Sequence, residues 1–168
     1  DDVSPLSGWI LDGPTDVQWH SAAETQKLIA MMSDVNRKRL SAMQAKGERL
    51  VGTIYKRTRV DGVGVRRQRA ELRDDNIAGC LRTPGGGSSR QTIVVVEGVS
   101  VQTRLLSARE AARLMGLPDS YKLPPRYNDA YHIAGDGLVV PVVRYLAGTL
   151  IEPVLLSNRI DHLLEAAE

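Results

Sequence analysis

The sequence has no phenylalanine and a single cysteine, Cys80, in 168 residues. One thiol excludes an internal disulfide framework, and a zinc site would need mostly histidine and carboxylate ligands. The three histidines, His20, His132 and His162, make no metal-ligand spacing, so no metal is expected. Aromatic residues are scarce: two Trp and five Tyr. The core must therefore lean on Val, Leu, Ile and Ala, which bury less area per residue than aromatic rings. A long uninterrupted apolar run is also missing. The most apolar stretch, Leu138 to Leu150, carries Pro141 and Arg144, so neither a bilayer span nor a membrane partner is expected. The first residues, Asp1-Asp2-Val3, lack the basic and apolar regions of a secretory signal. A reduced, cytoplasmic setting is the default for such cysteine usage. An initiator Met is absent too, which fits a chain excised from something longer.

The residues that are present suit one globular core. Hydrophobic content is 42% and charged content 25%, ordinary values for a domain of this length. The net charge of +2 hides an uneven distribution. Between Arg37 and Arg90, fourteen basic residues face five acids, a local charge of +9 that leaves −7 for the rest. A basic middle with acidic flanks suggests a phosphate-facing surface. An Arg-rich hairpin solvated with counter-ions fits the charge pattern as well.

The elements follow from caps and periodicity. Residues 1–20 read as an irregular arm with Trp9 and Trp19 as anchors. Ser21-Ala22-Ala23-Glu24 forms a capping box that predicts a helix to about Met32. Ser33-Asp34 breaks it and starts a second helix, Val35 to Lys46, with Gly47 as its C′ residue. Leu28, Met31, Met32, Val35, Leu40 and Met43 form the expected inner face. Leu50 to Tyr55 is strand-like, an Asp-Gly turn lies at Asp61-Gly62, and Val65 to Arg73 returns as its partner. A short strand is expected over Ile77 to Leu81, with Cys80 as a small core residue on it. Thr92 to Val96 and Val99 to Arg104 read as a hairpin about Glu97-Gly98. Ser107-Ala108-Arg109-Glu110 is a second capping box, for a helix ending near Met115 with Gly116 beyond. Asp119 to Ala134 looks like loop, with His132 packed beside Tyr131. Gly135-Asp136-Gly137 precedes an apolar helix, Leu138 to Ile151, and a last short helix is expected from Asn158.

Three strings belong together. Leu81-Arg82-Thr83-Pro84-Gly85-Gly86-Gly87-Ser88-Ser89-Arg90-Gln91 is a glycine-rich loop with basic ends. Arg104 to Tyr121 contains R-L-L-S-A-R-E-A-A-R-L-M-G-L-P-D. Tyr131 to Leu146 contains G-D-G-L-V-V-P-V. In that order they closely resemble the C-terminal part of the DNA cytosine-C5 methyltransferases. The second string resembles that family's ninth motif and the third its tenth, with Asp136 where the family usually has Asn. The stretch before them resembles its target-recognition domain. The match is sharp over Leu81 to Pro153 and weaker from His20 to Asp75.

The resemblance implies an α+β fold: a β-hairpin-rich recognition region flanked by helices, with a C-terminal helix that joins a Rossmann-like catalytic domain in the full enzyme. The implied organisation is an arm over 1–20, a target-recognition domain over 21–103, and a helical region over 104–168 carrying the two motifs. The implied activity is methylation of cytosine C5 in duplex DNA with S-adenosylmethionine, in a restriction-modification setting. The family's Phe-x-Gly-x-Gly cofactor loop, Pro-Cys nucleophile and Glu-Asn-Val motif are absent from this sequence. The chain therefore reads as a recognition portion, inactive alone, that binds S-adenosylmethionine weakly or not at all by itself. Its implied partners are duplex DNA and an N-terminal catalytic half, in the same or a separate chain. The rival readings are a stand-alone sequence-selective DNA-binding module and, more weakly, an RNA-binding domain.

Candidate site residues fall into three groups. Lys56, Arg57, Arg59, Arg66, Arg67 and Arg69 flank the hairpin turn and are candidates for phosphate contact, which positions a protein without reading sequence. In the loop, Arg82, Thr83, Gly85, Gly86, Gly87, Ser88, Ser89, Arg90 and Gln91 combine close backbone approach with side chains suited to base edges. Gly135, Asp136, Gly137 and Leu138 are the cofactor-facing candidates, because the resemblance places this turn against the amino-acid end of S-adenosylmethionine. Arg109, Glu110 and Arg113 are expected to be structural, tying the ninth-motif helix to the recognition domain. The Leu138–Ile151 helix is apolar on nearly every face, so without a catalytic half the chain is expected to self-associate through it.

Overall fold

The computed structural model describes residues 6–10, 13, 16–60, 62–83, 85 and 90–156. A four-stranded antiparallel sheet forms its centre, in the order β2-β1-β3-β4. The strands are β1 (Arg49–Val60), β2 (Arg66–Arg73), β3 (Thr92–Glu97) and β4 (Ser100–Leu105). Among the described residues five α-helices accompany it: α1 (Ala22–Ala30), α2 (Asp34–Ala45), α3 (Ala108–Leu114), α4 (Tyr127–Asp136) and α5 (Val140–Leu146). The class is α+β, as the sequence implies. The expected boundary between residues 103 and 104 falls inside β4.

Period-two alternation splits the sheet's side chains between two cores. Val51, Ile93 and Val95 point to one side and pack with Leu106, Ala111, Met115, Tyr131 and Ala134, and with Leu6 and Ile10 of the arm. Ile54, Ala70, Leu72, Val94 and Val96 point to the other and meet Leu28, Met32, Leu40 and Met43 of α1 and α2. The helix starts obey their caps. Ser21 and Ser107 each accept from the amide three residues on, and Glu24 and Glu110 each answer the cap residue's own N–H. Gly47 and Gly116 adopt the left-handed backbone (φ +73 and +80) that ends a helix.

Both outer strands are partly covered. On β4, the His20 amide donates to the Thr103 carbonyl at 2.8 Å, and Trp19 bridges to Arg104. On β2, the Ala70 amide donates to the Met31 carbonyl at 3.1 Å and the Leu72 amide to Asn36 Oδ1 at 3.1 Å. The tip of the β1–β2 hairpin extends beyond this cover, and β1 is buried through Ile54 but exposed from Arg57 onward.

Several expectations are corrected. Residues 77–81 form no strand; this segment packs across the sheet, and a Cβ on Gly79 would overlap the Tyr55 ring. Cys80 is consequently exposed rather than a core residue. Val35 is 62% exposed, because it lies on the outer side of α2. Residues 127–136 are helix rather than loop, and His132 lies on its exposed side. Gly135 and Asp136 therefore end α4 instead of opening the apolar helix, whose N-cap is Val139. Leu6 and Ile10 are the arm's buried side chains, and Trp9 beside them is half-buried. Trp19 does act as an anchor, with the Arg104 guanidinium 4.9 Å from its ring centre. The expected helix from Asn158 lies outside the described residues.

The apolar helix starts against the ninth-motif turn, where Val140 donates to the Met115 carbonyl at 2.9 Å and Pro141 sits on Gly116. It continues through a π-helical segment, Ala147–Ile151, to residue 156. The sequence predicts no bilayer span, yet Tyr127–Leu156 is long and apolar enough to cross one by length and composition. One such run is weak support for a membrane, and this one is broken at Gly137 and interrupted by Arg144 and Glu152.

Candidate nucleic-acid interface

The hairpin sorts its basic residues by face. Arg57 lies opposite Arg69, and Arg59 opposite Arg67, so these four share one side of the ribbon. Lys56 and Arg66 take the other side. Like charges directly opposite each other are destabilising. Glu71 relieves part of that repulsion: its carboxylate accepts from Arg59 Nε at 2.7 Å and lies 3.4 Å from Arg57 Nε. The Arg57 guanidinium also lies 5.8 Å from the Tyr55 ring centre. The cluster remains strongly positive in water, an arrangement that a polyanion would stabilise.

The glycine-rich loop leaves from the same side of the sheet. Its entry is fixed by Gly79 against Tyr55 and its exit by Gln91, whose amide Nε2 donates to the Gly79 carbonyl at 2.6 Å. Gln91 is fully buried, so it braces the loop from beneath and presents no edge to a base. Arg82 and Gly85 are exposed, while Thr83 and Arg90 are half-buried at the stems. Thr83 Oγ1 donates to Asp136, and Arg90 donates to Asn128 Oδ1 with its guanidinium 5.4 Å from the Tyr127 ring centre. Gly86, Gly87, Ser88 and Ser89 lie outside the described residues. Burial pushes the Tyr131 phenol up to about 12 and raises Tyr55 and Tyr127 as well. All three tyrosines therefore stay neutral near pH 7 beneath the loop.

Lys27, Lys56, Arg90 and His20 line a cleft of about 340 Å³ with Glu24 at its rim. The sequence pattern does not single out Lys27, because it lies upstream of the basic segment. Burial lowers the His20 pKa, against the opposing pull of Glu24. Its Nδ1 lies 2.9 Å from Thr103 Oγ1.

The ninth-motif residues are built into the fold. Arg104 and Glu110 are both fully buried and pair through two bonds of 2.8 and 2.6 Å. Arg113 binds both oxygens of Asp119, at 2.7 and 2.6 Å, and Arg109 donates to the Tyr121 carbonyl at 2.8 Å. Glu110 thus ties α3 to β4, while the two arginines hold the segment after α3. The family model for C-5 cytosine-specific DNA methylases matches residues 15–152, which takes in the hairpin, the loop and both motifs.

The chain belongs to that family.

Individual methyltransferases agree over shorter stretches. The type II methyltransferase M.HhaI of Haemophilus parahaemolyticus is 42% identical over 71 residues, covering 42% of this chain and 21% of that protein. The type II methyltransferase M.HaeII of Haemophilus aegyptius is 32% identical over 80 residues, covering 48% and 23%. The DNA (cytosine-5)-methyltransferase CMT2 of Oryza sativa subsp. japonica is 40% identical over 63 residues, covering 38% and 5%. The chain thus spans under a quarter of the length of these relatives. No solved structure matches it.

The turn expected to face the family's cofactor does not fit that role as it stands. Gly135 packs on the Thr83 backbone, Asp136 accepts from Thr83, and the Gly137 amide is used by the Ile133 carbonyl. Gly135 and Gly137 do line a cleft of about 460 Å³ with residues 78–81, Leu114 and Met115, but among the described residues no charged side chain lines it to meet an ammonium or carboxylate. Leu138 is 77% exposed and lies outside that cleft. Among the described residues, these four bring together no charged group for the amino-acid end of S-adenosylmethionine other than Asp136, which Thr83 engages. Among the described residues, no three His, Cys, Asp or Glu side chains gather as metal ligands.

Proposed function

We propose that this chain is the DNA-recognition and C-terminal portion of a DNA (cytosine-5-)-methyltransferase. The complete enzyme flips a cytosine out of the duplex and methylates its C5 from S-adenosylmethionine. The observation that carries this reading is the family match over residues 15–152, with the arginine face and the Gly79 entry of the loop on one side of the sheet. In this reading Arg57, Arg59, Arg67 and Arg69 contact phosphates, with Lys56 and Arg66 supporting from the other face. Arg82, the backbone at Gly85 to Gly87, Ser88 and Ser89 approach the bases. The exposed α5 helix is where the catalytic half, which supplies the nucleophile and the cofactor site, packs.

The test is complementation. The chain alone gives no methyl transfer, and mixing it with a catalytic half encoded nearby, carrying Pro-Cys and Phe-x-Gly-x-Gly, gives methylcytosine at a fixed site in bisulfite sequencing. Methyl transfer by the isolated chain would contradict the division of labour. Sequence-selective binding with no methylation in any combination would support the stand-alone module instead. Replacing Arg57, Arg67 and Arg69 with Ala should weaken binding to every duplex. It should also lower the salt slope by about 2–3, near one unit for each phosphate no longer neutralised.

A further inference from the structure

We propose that α4 is a clamp that fixes the stems of the recognition loop, with Gly135, Asp136 and Asn128 as positioning residues for sequence choice. This rests on the reading of that loop as DNA-facing.

Three contacts along one helix carry it. A Cβ on Gly135 would lie 2.5 Å from the Thr83 nitrogen, 2.7 Å from its Cα and 2.8 Å from the Arg82 carbonyl carbon. These are backbone atoms and cannot swing aside, so only glycine admits the incoming stem this close. One residue on, Asp136 accepts from the Thr83 hydroxyl. Two turns back, Asn128 accepts from Arg90, and the neighbouring Tyr127 ring lies beneath the same guanidinium. Both stems are therefore held by one rigid element.

The spacing gives the clamp its consequence. Asn128 and Asp136 are separated by about 12 Å along the helix axis. The chain from Thr83 to Arg90 could reach roughly 24 Å if extended. The clamp contacts thus hold the two stems at points closer together than that reach. Between the stems lie Gly85, Gly86 and Gly87, which lose more conformational entropy on ordering than any other residue type. Fixing the ends in advance reduces the entropy that DNA binding must overcome.

Selection from a random duplex library, read by sequencing, tests the clamp on the full chain. Amide hydrogen exchange across residues 82–91 provides a readout that needs no DNA. Gly135→Ala and the double variant Asn128→Ala/Asp136→Ala should lose roughly tenfold in enrichment of the preferred sequence, about the value of one base contact. Affinity for random duplex should hold, and exchange at the stems should rise. Asp136→Asn, whose amide oxygen also accepts from Thr83, should restore the parent's preference. Unchanged preference and exchange in both altered chains would overturn the clamp. So would a variant that loses only S-adenosylmethionine binding in the complemented enzyme. A parent chain with no preferred sequence would refute the DNA-facing reading of the loop, while the exchange data would still decide the clamp.

Discussion

The ninth-motif helix α3 and α5, the first α-helical stretch of the tenth-motif helix, have the same length and opposite environments. Each spans seven residues. Four of the seven are buried in α3, and none is buried in α5. α3 holds small residues, Ala108, Ala111 and Ala112, against the sheet, and its one buried charge is matched to Arg104. α5 offers Val142, Val143, Tyr145 and Leu146 to solvent. Each large aliphatic left in water forgoes roughly 1.5–3 kcal/mol of burial. A family motif can thus be a local structural joint or one half of an interface, and the difference shows only in what its side chains meet.

Glu110→Ala should give the largest effect in that comparison. It leaves the Arg104 guanidinium buried without its carboxylate, at a cost of about 3–5 kcal/mol. Urea unfolding should show a large drop in midpoint, and an unchanged midpoint would break the contrast. Ser107→Ala should cost about 1 kcal/mol, because it removes the cap of α3 and leaves the buried Glu110 amide without its acceptor. Val142→Glu with Leu146→Glu on α5 should change the unfolding free energy by less than about 0.5 kcal/mol, as expected at exposed positions. The same pair should reduce self-association in light scattering at high concentration. Cooperative unfolding lost on that change would place α5 in the core and end the comparison.

Much of the fold was legible because local chemistry decided it. Two capping boxes, two hairpins and two C′ glycines follow from residues within four positions of one another. What was illegible depended on distant partners. Tyr127 to Asp136 follows two prolines and mixes polar with apolar residues, so its helix emerges only where Ala130, Tyr131 and Ala134 find the sheet. Ile77 to Leu81 carries strand-like residues, but its path is set by the approach of Gly79 to Tyr55. The second half of β1, Lys56 to Val60, is a strand because β2 pairs with it through Arg66. The basic hairpin and the ninth-motif charges could be named from sequence. The clamp residue Asn128 could not, since nothing near it in sequence marks the Arg90 side chain as its neighbour.

The sheet's outer margins have one further consequence, for solubility. The arm shields β4 along its outer side, and the α1–α2 junction shields β2 only from Ala70 onward. Along the first residues of β2, Arg66 to Arg69, alternation from Ala70 turns the backbone groups of Arg66 and Gln68 to the outer edge, where another extended chain could pair. Three of those four side chains are arginines, which repel a second copy of themselves. The charges proposed to meet a phosphate backbone would thus also guard this strand edge against fibrous assembly. Neutralising them all to weaken DNA binding would leave that strand open to pairing with its own kind.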